Sequence, residues 1–188
     1  MDNLFKMPKQ MKITGRSSSI TNAFVSSIIP TIQPTEEEIL EALNILKMNK
    51  NNFQFAYCGD IASEWDHLRP LVLDKKPTGY ISEIKNLVPS CGKCNQSKGN
   101  KHWKKWIESD ASLSPKSKGI KDLKSRIKCL EKYEKWGTPI KIDFKKNVKK
   151  EDWSKHWQNC NDLQKAMKDS QKLSEKINRK ILEKHKKI

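Results

Sequence analysis

From Glu151 onward, Trp153, Trp157, Cys160, Leu163, Met167, Leu173, Ile177 and Ile181 recur at helical spacing. That stripe predicts about ten turns of one amphipathic helix, the upper end of what globular proteins use. Such a helix must break, pair with a second copy or lie along an extended partner. Its Trp and Ile stripe reads as core or dimer seam rather than a base-stacking surface, because helical periodicity already explains it. Only 35% of the 188 residues are apolar, so the rest of the chain can build one modest core with exposed helices around it.

The same end of the chain carries the charge. Residues 1–50 hold 6 basic and 5 acidic side chains, residues 51–100 again 6 and 5, and residues 101–188 hold 26 and 12, giving +1, +1 and +14 of the total +16. So local an excess exceeds what solubility needs and points to a polyanion, with nucleic acid ahead of an anionic membrane surface, because neutralised phosphates release condensed counterions. The first thirty residues mix Lys6, Lys9, Lys12 and Arg16 with polar residues and lack the apolar core of a signal peptide. No stretch is long enough to span a bilayer. Five cysteines, two in Cys91-x-x-Cys94, suit a reduced, cytoplasmic protein better than a disulfide scaffold.

The expected class is α+β, with four regions and no internal repeat. Residues 1–33, Ser/Thr-rich and interrupted by prolines, read as a loosely attached arm, in which Ile20, Phe24, Ile28 and Ile29 can form a short packed turn. Residues 34–50 read as a helix packing on the core, opened by the capping box of Thr35 and Glu38 and running to about residue 49. Residues 51–108 form a compact core, with short strands within 53–72, a loop at Thr78-Gly79-Tyr80, an element beginning near Cys91 and a short helix from His102 to Glu108. Residues 109–188 form a helical basic extension. In it, Ile120, Leu123, Ile127, Leu130 and Tyr133 mark a helix stopped by Gly137 and Pro139, and the alternation of Ile140, Ile142 and Phe144 suggests a strand.

The chemistry concentrates in residues 57–103. In order come Tyr57-Cys58-Gly59-Asp60, Glu64-Trp65-Asp66-His67-Leu68-Arg69-Pro70, and the run from Lys85-Asn86-Leu87 through Cys91-Gly92-Lys93-Cys94-Asn95 to Lys101. Adjacent strand residues point to opposite faces, so a bulge or strand end is expected at Asp66-His67. Asp66 offers a hard carboxylate oxygen suited to magnesium or manganese, and His67 a base largely neutral at pH 7. A helix after Cys91 would bring the Asn95 side-chain carbonyl to the same ion, leaving positions open for phosphate and water.

These pieces, about fifty residues in all, resemble the HNH endonuclease family, or His-Me finger nucleases. The resemblance implies a ββα-metal core with Asp66 and Asn95 as ligands of Mg2+ or Mn2+, His67 as general base, and Asn86 holding the loop and orienting the histidine. Products would carry 5′-phosphate and 3′-hydroxyl ends. The family's third position is Asn95 here rather than His, with His102 a distant backup. Arg69, Lys98 and Lys101 are candidate phosphate contacts. Many relatives also bind structural zinc through two Cys-x-x-Cys knuckles. Here Cys58, Cys91 and Cys94 remain, while Phe55 stands where the fourth cysteine would be. Zinc with a fourth ligand from Cys129, Cys160, His102 or water, or packing of Phe55 in place of the metal, are the alternatives.

Three functions fit. One is a type II restriction endonuclease cutting double-stranded DNA as a homodimer, since one active site per chain and palindromic targets suit two-fold symmetry. Another is a phage or mobile-element HNH nuclease that nicks one strand. The last is a non-catalytic nucleic-acid binder that keeps the fold.

Overall fold

A computed structural model describes residues 7–49, 53–54, 56–60 and 64–185. The protein is α+β, mostly helical, with two small antiparallel strand pairs among the described residues and a long C-terminal helix. Among the described residues no helix is long and apolar enough to cross a membrane. Its internal contacts divide it into two units, Ile28–Phe144 and the pairing of Met1–Ser27 with Lys145–Ile188.

The smaller unit is built on the expected long helix, α6 (Lys150–His185, 36 residues), together with α1 (Ser17–Ser26). The region expected to be a loose arm contains this helix because it has partners on α6. Gln164 donates from Nε2 to the Ser17 carbonyl (2.8 Å) and to Thr21 Oγ1 (3.1 Å), His156 Nε2 donates to the Phe24 carbonyl (3.0 Å), and the Ile13 N–H donates to Gln171 Oε1 (2.7 Å). Thr21, Val25, Cys160 and Met167 are buried. Past Gln171 the stripe continues through Leu173, Ile177 and Ile181, each at least half exposed.

The larger unit holds the main core. Thr35 and Glu38 form both bonds of the capping box and start α2 (Glu36–Ile45), which ends four residues short of the expected limit where Lys47 takes φ 56°. Strand β1 (Glu64–His67) pairs antiparallel with β4 (Leu87–Ser90) in regular register, from Glu64 opposite Ser90 to His67 opposite Leu87. The intervening chain carries a tight hairpin of β2 (Val72–Leu73) and β3 (Lys76–Pro77), turned at Asp74 and Lys75 with φ 49° and 62°, the sign that two-residue hairpin turns need at both central residues. Then follow α3 (Gly92–Lys98), α4 (Trp103–Ile107) and α5 (Leu123–Trp136).

Helix α5, expected in the basic extension, belongs to this core. Leu130 and Tyr133 are buried with Leu68, Val88, Cys94, Trp103, Trp106 and Ile107, and the Tyr133 hydroxyl donates to the carbonyls of Ile84 (2.5 Å) and Leu87 (2.9 Å), tying α5 to the start of β4. The strand expected over 139–145 shrinks to one bridge, Tyr80 with Lys141, followed by a 3-10 turn at Phe144–Asn147. Alternation alone could not show that no neighbouring strand was available to extend the ladder.

Candidate functional site

Strand β1 ends at His67, so the Asp66-His67 pair sits at a strand end without a bulge and its two side chains diverge. Asp66 turns toward α3. It is 5% exposed, and its carboxylate accepts from the Tyr57 hydroxyl (2.7 Å) and lies 3.0 Å from the Lys98 ammonium. Burial pushes the Asp66 carboxyl above its ordinary range, against the opposing pull of Lys98 and Tyr57. Burial likewise raises the Tyr57 hydroxyl, with the neighbouring Asp66 charge adding to the effect.

His67 faces the other way, with Nε2 2.9 Å from Ser82 Oγ. Burial lowers its pKa to about 4, helped by the positive charge of Lys98, so the imidazole is neutral throughout the physiological range. Nearby, Asn86 is fully buried and its amide bonds main chain. Its Oδ1 accepts from the Arg69 N–H (2.8 Å), and its Nδ2 donates to the carbonyls of Arg69 (3.1 Å) and Ile81 (3.4 Å). The Asn86 carbonyl also accepts from the Leu68 N–H (2.8 Å). The chain leaving His67 is thereby fastened to the chain entering β4.

Asn95, on α3, does not bond Asp66. Its Nδ2 donates to Glu64 Oε2 (3.3 Å) and toward the Trp65 carbonyl (3.5 Å). Glu64 shares the Asp66 face of β1, and a Cβ on Gly92 would come within 2.7 Å of its Oε1. Gly92 is thus what lets that carboxylate lie over the start of α3. Glu64 is exposed and Asn95 half-buried, and the Asn95 amide nitrogen rather than its oxygen faces the Glu64 carboxylate. Asp66, beneath them, has its charge already met by Lys98.

The expected phosphate contacts have other partners. Lys98 is 1% exposed and donates to Asp66, the His67 carbonyl (2.9 Å) and the Gly99 carbonyl (3.3 Å). Arg69 pairs with the Glu134 side chain (3.5 Å) and carbonyl (3.3 Å) on α5. Lys101 is exposed and donates to the Ser97 carbonyl (2.9 Å). His102 caps α4, its Nδ1 accepting from the Lys104 N–H (3.2 Å).

Cys58, Cys91 and Cys94 come together, their sulfur atoms all within 4.8 Å of one another. Cys91 caps α3, accepting at Sγ from the Cys94 N–H (3.3 Å), and lies 3.8 Å from the Cys58 sulfur. The Cys94 thiol, hydrogen bonded to Cys58, lowers the Cys58 pKa to about 6, and the same contact together with burial pushes Cys94 up. A zinc ion with thiolates at about 2.3 Å has tetrahedral edges of about 3.8 Å, so the three sulfurs fit such a metal. Phe55, the residue weighed as a packing substitute for it, lies outside the described residues.

In the sequence Tyr57 and Glu64 fall within the motif but were not assigned a role, and neither was Ser82. Glu64 could have been, since it precedes Asp66 by two on a strand and so shares its face. Tyr57 and Ser82 gave no comparable signal. Comparisons of the chain with protein-family models, with curated proteins and with solved structures found no match.

Proposed function

We propose that this protein is a metal-dependent DNA endonuclease of the HNH kind, built on a ββα-metal core formed by β1, β4 and α3. The carrying observation is the buried Asn86 clamp, which fastens the main chain just beyond His67 and so holds a neutral imidazole at the end of a strand. A general base needs that combination of fixed position and neutral charge.

In this reading Glu64, Asn95 and Asp66 would hold Mg2+ or Mn2+, for which Lys98 would have to yield part of its hold on Asp66. When bound, the ion would stabilise charge on the phosphate and the departing oxygen. Ser82 orients the His67 ring at Nε2, leaving Nδ1 to take a proton from the attacking water. Products would be 5′-phosphate and 3′-hydroxyl ends. The smaller unit, with 18 basic against 7 acidic residues and hence +11, supplies phosphate contacts along double-stranded DNA. The half-exposed Leu173, Ile177 and Ile181 support a homodimer that cuts both strands, as a type II restriction enzyme does.

One observation favours a non-catalytic DNA-binding reading instead: the Lys98 ammonium already neutralises Asp66. Supercoiled plasmid incubated with magnesium separates the cases. Discrete linear fragments support restriction and open circles support a nicking enzyme. Plasmid left intact by protein that still retards it would sink catalysis.

A further inference from the structure

A tetrahedral zinc held by Cys58, Cys91 and Cys94 is one ligand short. The other candidate ligands have different settings. Cys129 lines a pocket with Leu46, Asp122 and Arg126, His102 is engaged in capping α4, and Cys160 belongs to α6 in the other unit. Beside the thiols, however, stands a carboxylate. Asp60 Oδ2 lies 3.6 Å from the Cys58 sulfur, and a tetrahedral site with oxygen at about 2.1 Å has sulfur–oxygen edges of about 3.6 Å.

The local chain explains the approach. Gly59 takes φ 83°, a conformation that L side chains rarely adopt, and turns Asp60 back toward Cys58. Asp60 is exposed, and its carboxylate is not among the atoms lying within 4.8 Å of one another. A side-chain rotation must close it on the ion. Three thiolates and one carboxylate around a divalent ion carry a charge of about −2. The Lys118 ammonium, 3.9 Å from the Cys94 sulfur, is placed to offset part of it.

We propose that Asp60 is the fourth ligand of a three-thiolate, one-carboxylate zinc site, with Lys118 as its outer counter-charge. The site braces the turn before β1 against the start of α3, which carries Asn95. The inference stands apart from the nuclease reading, because its test measures metal binding and not cleavage.

The test uses the full chain with zinc and with Co2+ as a spectroscopic probe. Asp60→Ala is expected to weaken zinc at least about tenfold in chelator competition, the scale on which even supporting residues of metal sites act. Asp60→Cys, placing a fourth thiolate at this position, is expected to raise the sulfur-to-cobalt charge-transfer absorption by about one third. Both variants change an exposed side chain, and circular dichroism checks their folding. Equal zinc affinity in wild type and Asp60→Ala would mean that water fills the position and would overturn the assignment. Unchanged charge-transfer intensity in Asp60→Cys, or no bound metal in the wild type, would overturn it equally.

Discussion

The two units solve different physical problems with the same chain. The larger closes a core of aromatic and aliphatic side chains and places inside it an ion pair, a buried asparagine and three thiols. The smaller is a helix along a long helix, with few buried residues and 18 basic against 7 acidic side chains. Polar groups fixed in a low-dielectric interior can have their pKa values and geometry set by their neighbours. Exposed lysines on a helix make instead a diffuse field, suited to a polyanion and sensitive to salt. The proposed function places chemistry in the larger unit and phosphate contacts in the smaller.

The sharpest way to break this division is at Lys98. Lys98→Met leaves Asp66 buried without its cation, which should cost about 3–5 kcal/mol. In chemical denaturation the larger unit should then unfold early while α6 retains its helical signal, and adding Asp66→Asn should recover much of the loss. Unfolding of both units together would erase the contrast drawn between them.

A second prediction uses pH. The folded pKa of His67, about 4, lies below its ordinary 6.5, so between those values the unfolded chain binds a proton that the native protein does not. Stability from this group is present above about pH 6.5 and is lost as pH falls toward 4. Denaturation midpoints at pH 7 and pH 5 should differ less in His67→Gln than in wild type. An equal acid loss in both would show that His67 is not held neutral.

Smaller effects compare how the units are stitched. Thr35→Ala removes one bond of the capping box on α2 and should cost about 1 kcal/mol. Gln164→Ala removes two hydrogen bonds from α6 to α1 and should cost a similar or smaller amount. Hydrogen exchange should localise the first loss to α2 and the second to α1.

How much of this was legible in sequence follows the range of the interactions involved. The Thr35 cap, the long stripe of α6, the stop at Gly137 and the strand end at Asp66-His67 are local, and each shows in residue order. The partners of α1 and the return of α5 to the core depend on contacts across more than forty residues, as in Gln164 with Ser17 and Tyr133 with Ile84. For the candidate site, the sequence shows Asp66, His67, Asn86 and Asn95 as a pattern, but not that Asp66 and His67 take different partners or that Asn95 bonds Glu64. Lys98 read as a phosphate contact because a lysine's burial is set by what surrounds it, here Asp66 and the His67 carbonyl.

The central claim, catalysis in the larger unit and DNA affinity in the smaller, is tested most directly by crossing two variants against two readouts. His67→Ala should lose about 10²–10⁴-fold in single-turnover cleavage with magnesium while retarding DNA as wild type does. Lys165, Lys168, Lys172 and Lys176 changed together to Gln should lower the salt slope of DNA binding by up to about 3.6, with cleavage at saturating protein retained. Loss of both readouts in both variants, or undiminished cleavage by His67→Ala, would contradict the account.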